Sequence, residues 1–350
     1  MRTLGAILYL IGAPLLIWWC MECSVQMPKP RFEGKPKGEQ VSLLFVGDVM
    51  AHSPQVAKAK GVNDYDFNSC FRYVAPIFKA TDCVVANLET TLSATPPYSG
   101  YPLFSAPAEL AQALAQSGVD VAVTANNHSL DRGVEGLCST IDILTSYSID
   151  AVGTSVGSRE PNPLRFNIKG IDFALLSYTY GTNGIRQPSG VNVARIDTLQ
   201  MRRDLERCSD ADCRIVYLHW GEEYSQKPSR EQYRLAQFLH GAGCQVVVGS
   251  HPHVVQKAEV ERDRVTIYSL GNFISNQRTR YSDGGIMAHL TVEKGADGCQ
   301  FWLDILPVWV RKSDYTIIPS GAISEVNLSA EESSAATLFM DDCKKIFTRF

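Results

Sequence analysis

The chain has 350 residues, 45% of them hydrophobic and 20% charged, with a formal net charge of −4. This is the composition of an ordinary globular protein with a sizeable core, long enough for one large or two medium domains. No basic run stands out, so nothing points to nucleic acid as a partner.

Met1-Arg2 is followed by an apolar stretch from Leu4 to Trp19. It falls short of the roughly 20 apolar residues of a membrane span and reads as a signal sequence. Cys20 then invites a lipoprotein anchor, although Trp19 stands where a small residue normally precedes the lipid-bearing cysteine. An uncleaved signal anchor is the alternative. Both place residues 1–23 at a membrane and the remainder on its extracytoplasmic side, in the cell envelope. Residues 24–40, rich in Pro, Gly and Lys, read as a spacer. Residues 41–350 are then a single domain. Ten cysteines in a chain this long do not make a disulfide scaffold. Many, such as Cys83 and Cys244, fall in apolar runs and read as buried thiols. Cys208 and Cys213 flank a helix-to-strand loop and are placed to pair.

Val41 to Val46 is a buried strand ending in Gly47-Asp48-Val49-Met50-Ala51-His52. Asp82 to Ala86 is a second, ending in Asn87-Leu88-Glu89. A proline-rich loop, 93–105, leads to a helix that opens at Pro107 and runs to Ser117. Val119 to Thr124 is a third strand, followed by Ala125-Asn126-Asn127-His128-Ser129-Leu130-Asp131 and a helix from Val134 to Tyr147. A short strand then covers Ile149 to Val152. Strand, crevice and helix in this rhythm indicate a largely parallel sheet, whose ligands gather at the carboxyl ends of the strands.

Leu164–Ile168 and Asp172–Tyr178 form a hairpin pattern, and Thr198–Cys208 a helix. Arg214–Leu218 is a strand leading into His219-Trp220-Gly221-Glu222-Glu223. Ser229 with Gln232 is a capping box for a helix to His240. The apolar run Cys244–Val248 ends in Gly249-Ser250-His251-Pro252-His253, two of only seven histidines in the chain. Val254–Val260 and Val265–Ser269 form another hairpin, ending in Leu270-Gly271-Asn272. Gly285–Glu293 and Gln300–Val310 alternate as antiparallel strands do. Ser329 and Glu332 cap a final helix to Phe347.

Candidate ligands therefore arrive at strand ends from separate segments: Asp48, Glu89, Asn127, His219, and His251 with His253. His52 reads as a further ligand ahead of a loop histidine. Any one alone is better explained as a cap, turn or packed side chain; several in register are not. Carboxylate, amide and imidazole together suit a pair of divalent cations, Zn, Mn or Fe. Two such ions about 3.5–4 Å apart activate water and clamp an anionic transition state. His128, beside Asn127, is placed as general acid, with Asp131 to orient it. Asn87, Glu222, Glu223 and Asn272 lie beside the ligands as orienting groups.

The order Asp, carboxylate, Asn-His, His, His-x-His resembles the calcineurin-like metallophosphatases. The wording VGDVM, ANLETTL, TANNHSLDRG, LHWGEEY, GSHPHVVQ and SLGNF is similar to the CapA family of poly-γ-glutamate capsule biosynthesis. These motifs span about residues 41 to 275. The resemblance implies an α/β/β/α sandwich of two mixed sheets and a binuclear metal site. Its ligands would be Asp48, Glu89, Asn127, His219, His251 and His253, with His128 catalytic. The chain departs from the phosphatase pattern at three points. His52 follows Asp48 too distantly, Glu89 replaces an aspartate, and Ser129 replaces the acid after His128. The implied function is hydrolysis of a phosphoester or acidic polymer in the envelope, alongside capsule synthesis or export proteins. The alternative is a non-catalytic component that binds a polyanion during export.

Overall fold

The computed structural model describes residues 25–26, 39–62, 64–157 and 162–347. The expected signal sequence or anchor at 1–23, Cys20 included, lies outside the described residues. Strand β1 (Gln40–Val49) organises the rest. Its side chains alternate between faces, and both faces are apolar. Val41, Leu43 and Phe45 enter one core, Leu44 and Val46 another. A strand apolar on both sides belongs inside a sheet that is covered on both sides.

β1 lies parallel to β2 (Cys83–Leu88), β2 to β3 (Val121–Val123), and β3 to β4 (Asp150–Val152). Helices α1 (Glu109–Ser117) and α2 (Gly133–Ser146) connect them on the outer face. The chain then builds a second sheet. β5 (Leu164–Ile168) and β6 (Ile171–Thr179) form the expected hairpin. β7 (Cys213–His219) and β8 (Val246–Ser250) add in parallel, followed by β9 (Ala258–Val260) and β10 (Val265–Ile267). The strand order is β9-β10-β8-β7-β6-β5. Helices α3 (Thr198–Glu206) and α4 (Arg230–Gly241) cover it. The Ser229–Gln232 capping box of α4 forms as the sequence indicates.

β11 (Asn272–Ile274) returns to the first sheet and pairs parallel with the end of β1. β12 (Gly284–Gly295) and β13 (Gly298–Val310) extend that sheet antiparallel, with β14 (Ile317–Pro319) on β13. Helix α5 (Ala330–Phe347) closes the described chain. The two sheets pack face to face through one shared core. Phe45, Val85 and Ile286 come from the first, Phe173, Tyr217 and Val248 from the second. Each such side chain contributes about 1.5–3 kcal/mol by leaving water. The result is the α/β/β/α sandwich expected.

Several expectations shift. The helix after the proline-rich loop starts at Glu109, because Ala106–Pro107 pairs as a short strand with Leu92–Ser93. Residues Ser53–Ala59 form a helix not anticipated from the sequence pattern. The proposed Cys208–Cys213 pairing fails. Cys213 faces the core between the sheets and Cys208 the core outside the second sheet. All described cysteines are free.

Close backbone approach fixes two glycines beside the motifs. A Cβ on Gly47 would lie 1.9 Å from the Gly271 carbonyl oxygen. One on Gly249 would lie 2.1 Å from the Tyr268 carbonyl oxygen and 2.3 Å from Trp220 Nε1. Those last two atoms are hydrogen-bonded to each other at 2.9 Å, so neither can yield alone. Gly249→Ala is expected to lower stability by about 1–3 kcal/mol, as overpacking of a closed interior does. Urea unfolding of the variant beside the wild type measures this; an unchanged midpoint would contradict it.

Candidate metal centre

Strand register brings the motifs together. Asp48 sits opposite Asn87 between β1 and β2, and opposite Asn272 between β1 and β11. In the second sheet His219 sits opposite Ser250. Beneath them the Tyr217 hydroxyl donates to the Val46 carbonyl (3.2 Å), tying one sheet to the other. Strand ends from both sheets thus converge on one volume.

Asp48, Glu89, His219, His251 and His253 are all buried there. Ligand atoms of Asp48, Glu89 and His253 lie within 4.8 Å of one another, and so do those of Glu89, His219 and His251. Glu89 is common to both groups. His219 Nε2 is 3.6 Å and His253 Nε2 3.9 Å from Glu89 Oε1. The Asn127 amide oxygen lies 2.9 Å from His219 Nε2, which places the expected amide ligand on the His219 side.

An amide relay holds the acids. Asn87 Nδ2 donates to Asp48 Oδ1 (2.8 Å) and Glu89 Oε2 (3.3 Å). Asn126 Nδ2 donates in turn to Asn87 Oδ1 (3.2 Å), and Asn126 Oδ1 accepts the His128 N–H (3.1 Å). Asn272 Oδ1 lies 3.1 Å from His253 Nδ1, which is also 3.0 Å from Asp48 Oδ2. The Ser250 hydroxyl sits 3.1 Å from His219 Nδ1. His128 Nδ1 lies 2.7 Å from Asp131 Oδ2, and that oxygen also accepts the Phe104 N–H at 2.7 Å. This leaves His128 Nε2 as the ring nitrogen free of Asp131.

Two expected residues stand elsewhere. His52 caps the Ser53–Ala59 helix, with its Nδ1 between Gln55 Oε1 (3.1 Å) and the Asn276 N–H (3.2 Å). It does not join the ligand groups because that helix draws it away from Asp48. Glu222 is exposed and does not reach the centre. Its neighbour Glu223 does, bringing a carboxylate oxygen within 4.8 Å of ligand atoms on His251 and His253. The relay residue Asn126 and the hydroxyl of Ser250 were not singled out in the sequence. The doubled amide in Ala125-Asn126-Asn127-His128 was the only signal for the former.

The backbone is strained where the imidazoles are presented. His251 has φ 96° and His253 φ 57°, conformations that cost about 1–3 kcal/mol each and cluster at functional sites. Electrostatics point the same way. Burial, reinforced by Asp48, pushes the Glu89 carboxyl well above the usual range. Burial, reinforced by His251 and His253, holds His219 well below its ordinary value. Burial and His253 lower His251 to about 3. Glu89 Oε1 and His251 Nδ1 are buried without a hydrogen-bond partner, an arrangement that costs about 1–3 kcal/mol per group. A divalent cation answers each of these: it attracts the anionic carboxylates and accepts the lone pairs of neutral imidazoles. The donor set fits it.

Fold and site together define a two-sheet α/β/β/α sandwich whose strand ends deliver acid, amide and imidazole to one buried centre. The family described as bacterial capsule synthesis protein PGA_cap matches residues 42–277, and the chain belongs to that family. The chain is 30% identical over 294 residues to the capsule biosynthesis protein CapA of Bacillus anthracis, covering 79% of this chain and 69% of that protein. It is 30% identical over 267 residues to the PGA biosynthesis protein CapA of Bacillus subtilis, covering 73% and 69%. Among solved structures, the 5'-nucleotidase of Candida albicans aligns at a TM-score of 0.48 and 12% identity, covering 91% of this chain and 60% of that one.

Stability of the metal-free protein follows from its buried imidazoles. Burial is the main cause that lowers His251 to about 3 and His52 and His289 to about 4. In the unfolded chain they protonate near 6.5. The unfolded state therefore binds more protons between these values, and stability falls as pH drops from about 6.5 toward 4. The slope is at most about 1.4 kcal/mol per pH unit for each histidine. Glu89, Asp120 and Asp304, raised by burial, act in the opposite sense but are outnumbered by the lowered imidazoles of His52, His219, His240, His251 and His289. Denaturant midpoints of chelator-treated protein should be lower at pH 5 than at pH 7.5; equal or higher values would contradict the assignment.

Proposed function

We propose that the chain is a binuclear metal-dependent hydrolase of capsule biosynthesis, acting on a phosphoester or another bond of an acidic envelope polymer. One observation carries this: Glu89 belongs to two of the three ligand groups, so one acid would lie within reach of two cations. Asp48, Glu89 and His253 would hold one cation, and Glu89, Asn127, His219 and His251 the other, with Zn, Mn or Fe suited to these donors. When bound, such ions act as Lewis acids toward the scissile group and the attacking water.

The chain's own groups do the rest. Asn87 keeps both carboxylates turned inward. Asp131 takes the Nδ1 proton of His128 in a hydrogen bond, so Nε2 is available to deliver a proton to the departing oxygen. The Phe104 ring stands edge-on to His128 at 4.7 Å and shields it from water. In this reading residues 41–350 work as one unit in the cell envelope, tethered through residues 1–23. Capsule synthesis or export proteins are the proposed partners.

The purified protein should contain about two divalent metals per chain, as two-metal sites do, and Asp48→Ala and His251→Ala should each lose metal. His128→Ala should keep the metal but lose a factor of about 10²–10⁴ in turnover of an aryl phosphodiester. Elemental analysis and a chromogenic assay read the two effects separately. Metal-loaded wild type without turnover, yet binding γ-glutamyl polymer equally with and without His128, would replace this reading by polyanion binding.

A further inference from the structure

The centre opens among large apolar side chains left in water. Of the eight large hydrophobic residues that are exposed among those described, four belong to segments bordering the centre. They are Tyr101 (74% exposed), Leu103 (44%), Tyr180 (48%) and Tyr224 (48%). The Tyr180 ring lies 4.5 Å from His251 and stacks on His219 at 6.2 Å with an interplanar angle of 12°. The Tyr224 ring is 6.0 Å from His253. Leu103 precedes Phe104, the residue packed on His128. Scattered exposed apolar residues need no explanation, but a group of them around a functional centre does.

Tyr224 is held in place at the expense of its backbone. Its φ is 63°, an outlier for a bulky residue. Its N–H donates to the Pro252 carbonyl at 2.7 Å, between the two histidines of the His-x-His motif. The Gln277 amide donates to its hydroxyl at 3.4 Å. The ring is thus fixed at both ends while half of it remains in water.

The mouth carries both signs: Glu222 and Glu223 are exposed beside Tyr224, while Arg132 donates to Ser99 Oγ on the Tyr101 side and Arg278 follows Gln277. The face of an aromatic ring is negative. Ring faces attract slightly positive C–H groups and give nothing to a carboxylate. A sugar ring has a C–H face for the tyrosine face and a hydroxyl rim for the tyrosine hydroxyl.

We infer that the unit of substrate adjoining the bond at the metal centre is a sugar ring, packed against Tyr180 and Tyr224 with Tyr101 and Leu103 alongside. This rests on reading the centre as one that handles an oxyanion. It adds that the anionic group reaches the centre attached to a glycosyl residue rather than as part of an unbroken run of carboxylates.

The test is calorimetric titration of the full chain reconstituted with Mn(II), wild type beside the Tyr101→Ala/Tyr224→Ala double variant. The probes are inorganic phosphate, methyl phosphate, glucose 1-phosphate, AMP and the neutral glycan cellotetraose. In the wild type glucose 1-phosphate should bind about tenfold tighter than methyl phosphate, the size of a well-formed aromatic contact. The double variant should lose that preference while still binding inorganic phosphate. Equal affinity for the two esters, or a preference that survives in the variant, would overturn the sugar subsite. A preference for AMP over glucose 1-phosphate would overturn it in favour of a nucleobase. Tyrosine-dependent binding of cellotetraose without any binding of phosphate would uphold the subsite and sink the oxyanion reading instead. Failure of every probe would sink both.

Discussion

Two carboxylates closed off from water, with a single amide between them, are the constraint on which this structure turns. Asp48 and Glu89 would repel each other in a dry interior. Asn87 donates to both and holds them turned into the same volume. Three buried imidazoles complete that volume: His219 and His251, both held neutral by burial, and His253 beside Asp48. An apolar core at this place would be more stable without metal. The chain instead keeps buried polar groups here, Glu89 Oε1 and His251 Nδ1 among them without a hydrogen-bond partner, as a functional centre does at the expense of local stability.

The sandwich is what makes such a centre possible. Asp48 and Glu89 come from the first sheet, His219 and the His-x-His turn from the second. Neither sheet alone holds a complete donor set. Face-to-face packing through Phe45, Phe173, Tyr217 and Val248 sets the distance between the strand ends. The Tyr217–Val46 hydrogen bond and the glycines at 47 and 249 allow close approach just below the site. Membership of the capsule synthesis family then gives the centre its biological setting. The mouth of exposed tyrosines, with acids beside them, gives that setting a chemical direction that the ligands alone do not.

Much of this was legible in one dimension because it is local. A run of apolar residues closed by a polar group reads as a strand delivering a side chain to a crevice. Five segments of that kind ordered the ligands before any contact was known. The capping boxes at Ser229 and Ser329 depend only on residues three apart and form as read. Other assignments failed where a distant partner intervened. Pro107 pairs with Ser93 across a short ladder rather than opening a helix. Cys208, in the turn after α3, packs outside the second sheet, while Cys213 on β7 faces between the sheets, so the sheet itself lies between them.

The sequence by itself determined the donor types, their order along the chain and the strands that carry them, since each follows from apolar periodicity and chain punctuation. Only the tertiary structure decided which donors meet. It put Glu89 in two of the three ligand groups, drew His52 into a helix cap, and chose Glu223 over Glu222. It also set Asn126 behind Asn87 as the second link of the relay. Those outcomes depend on strand register and on the gap between two sheets, which sum contributions from residues as far apart as Asp48 and His253. A one-residue change in register turns a side chain to the opposite face, and no local pattern in the sequence fixes that choice.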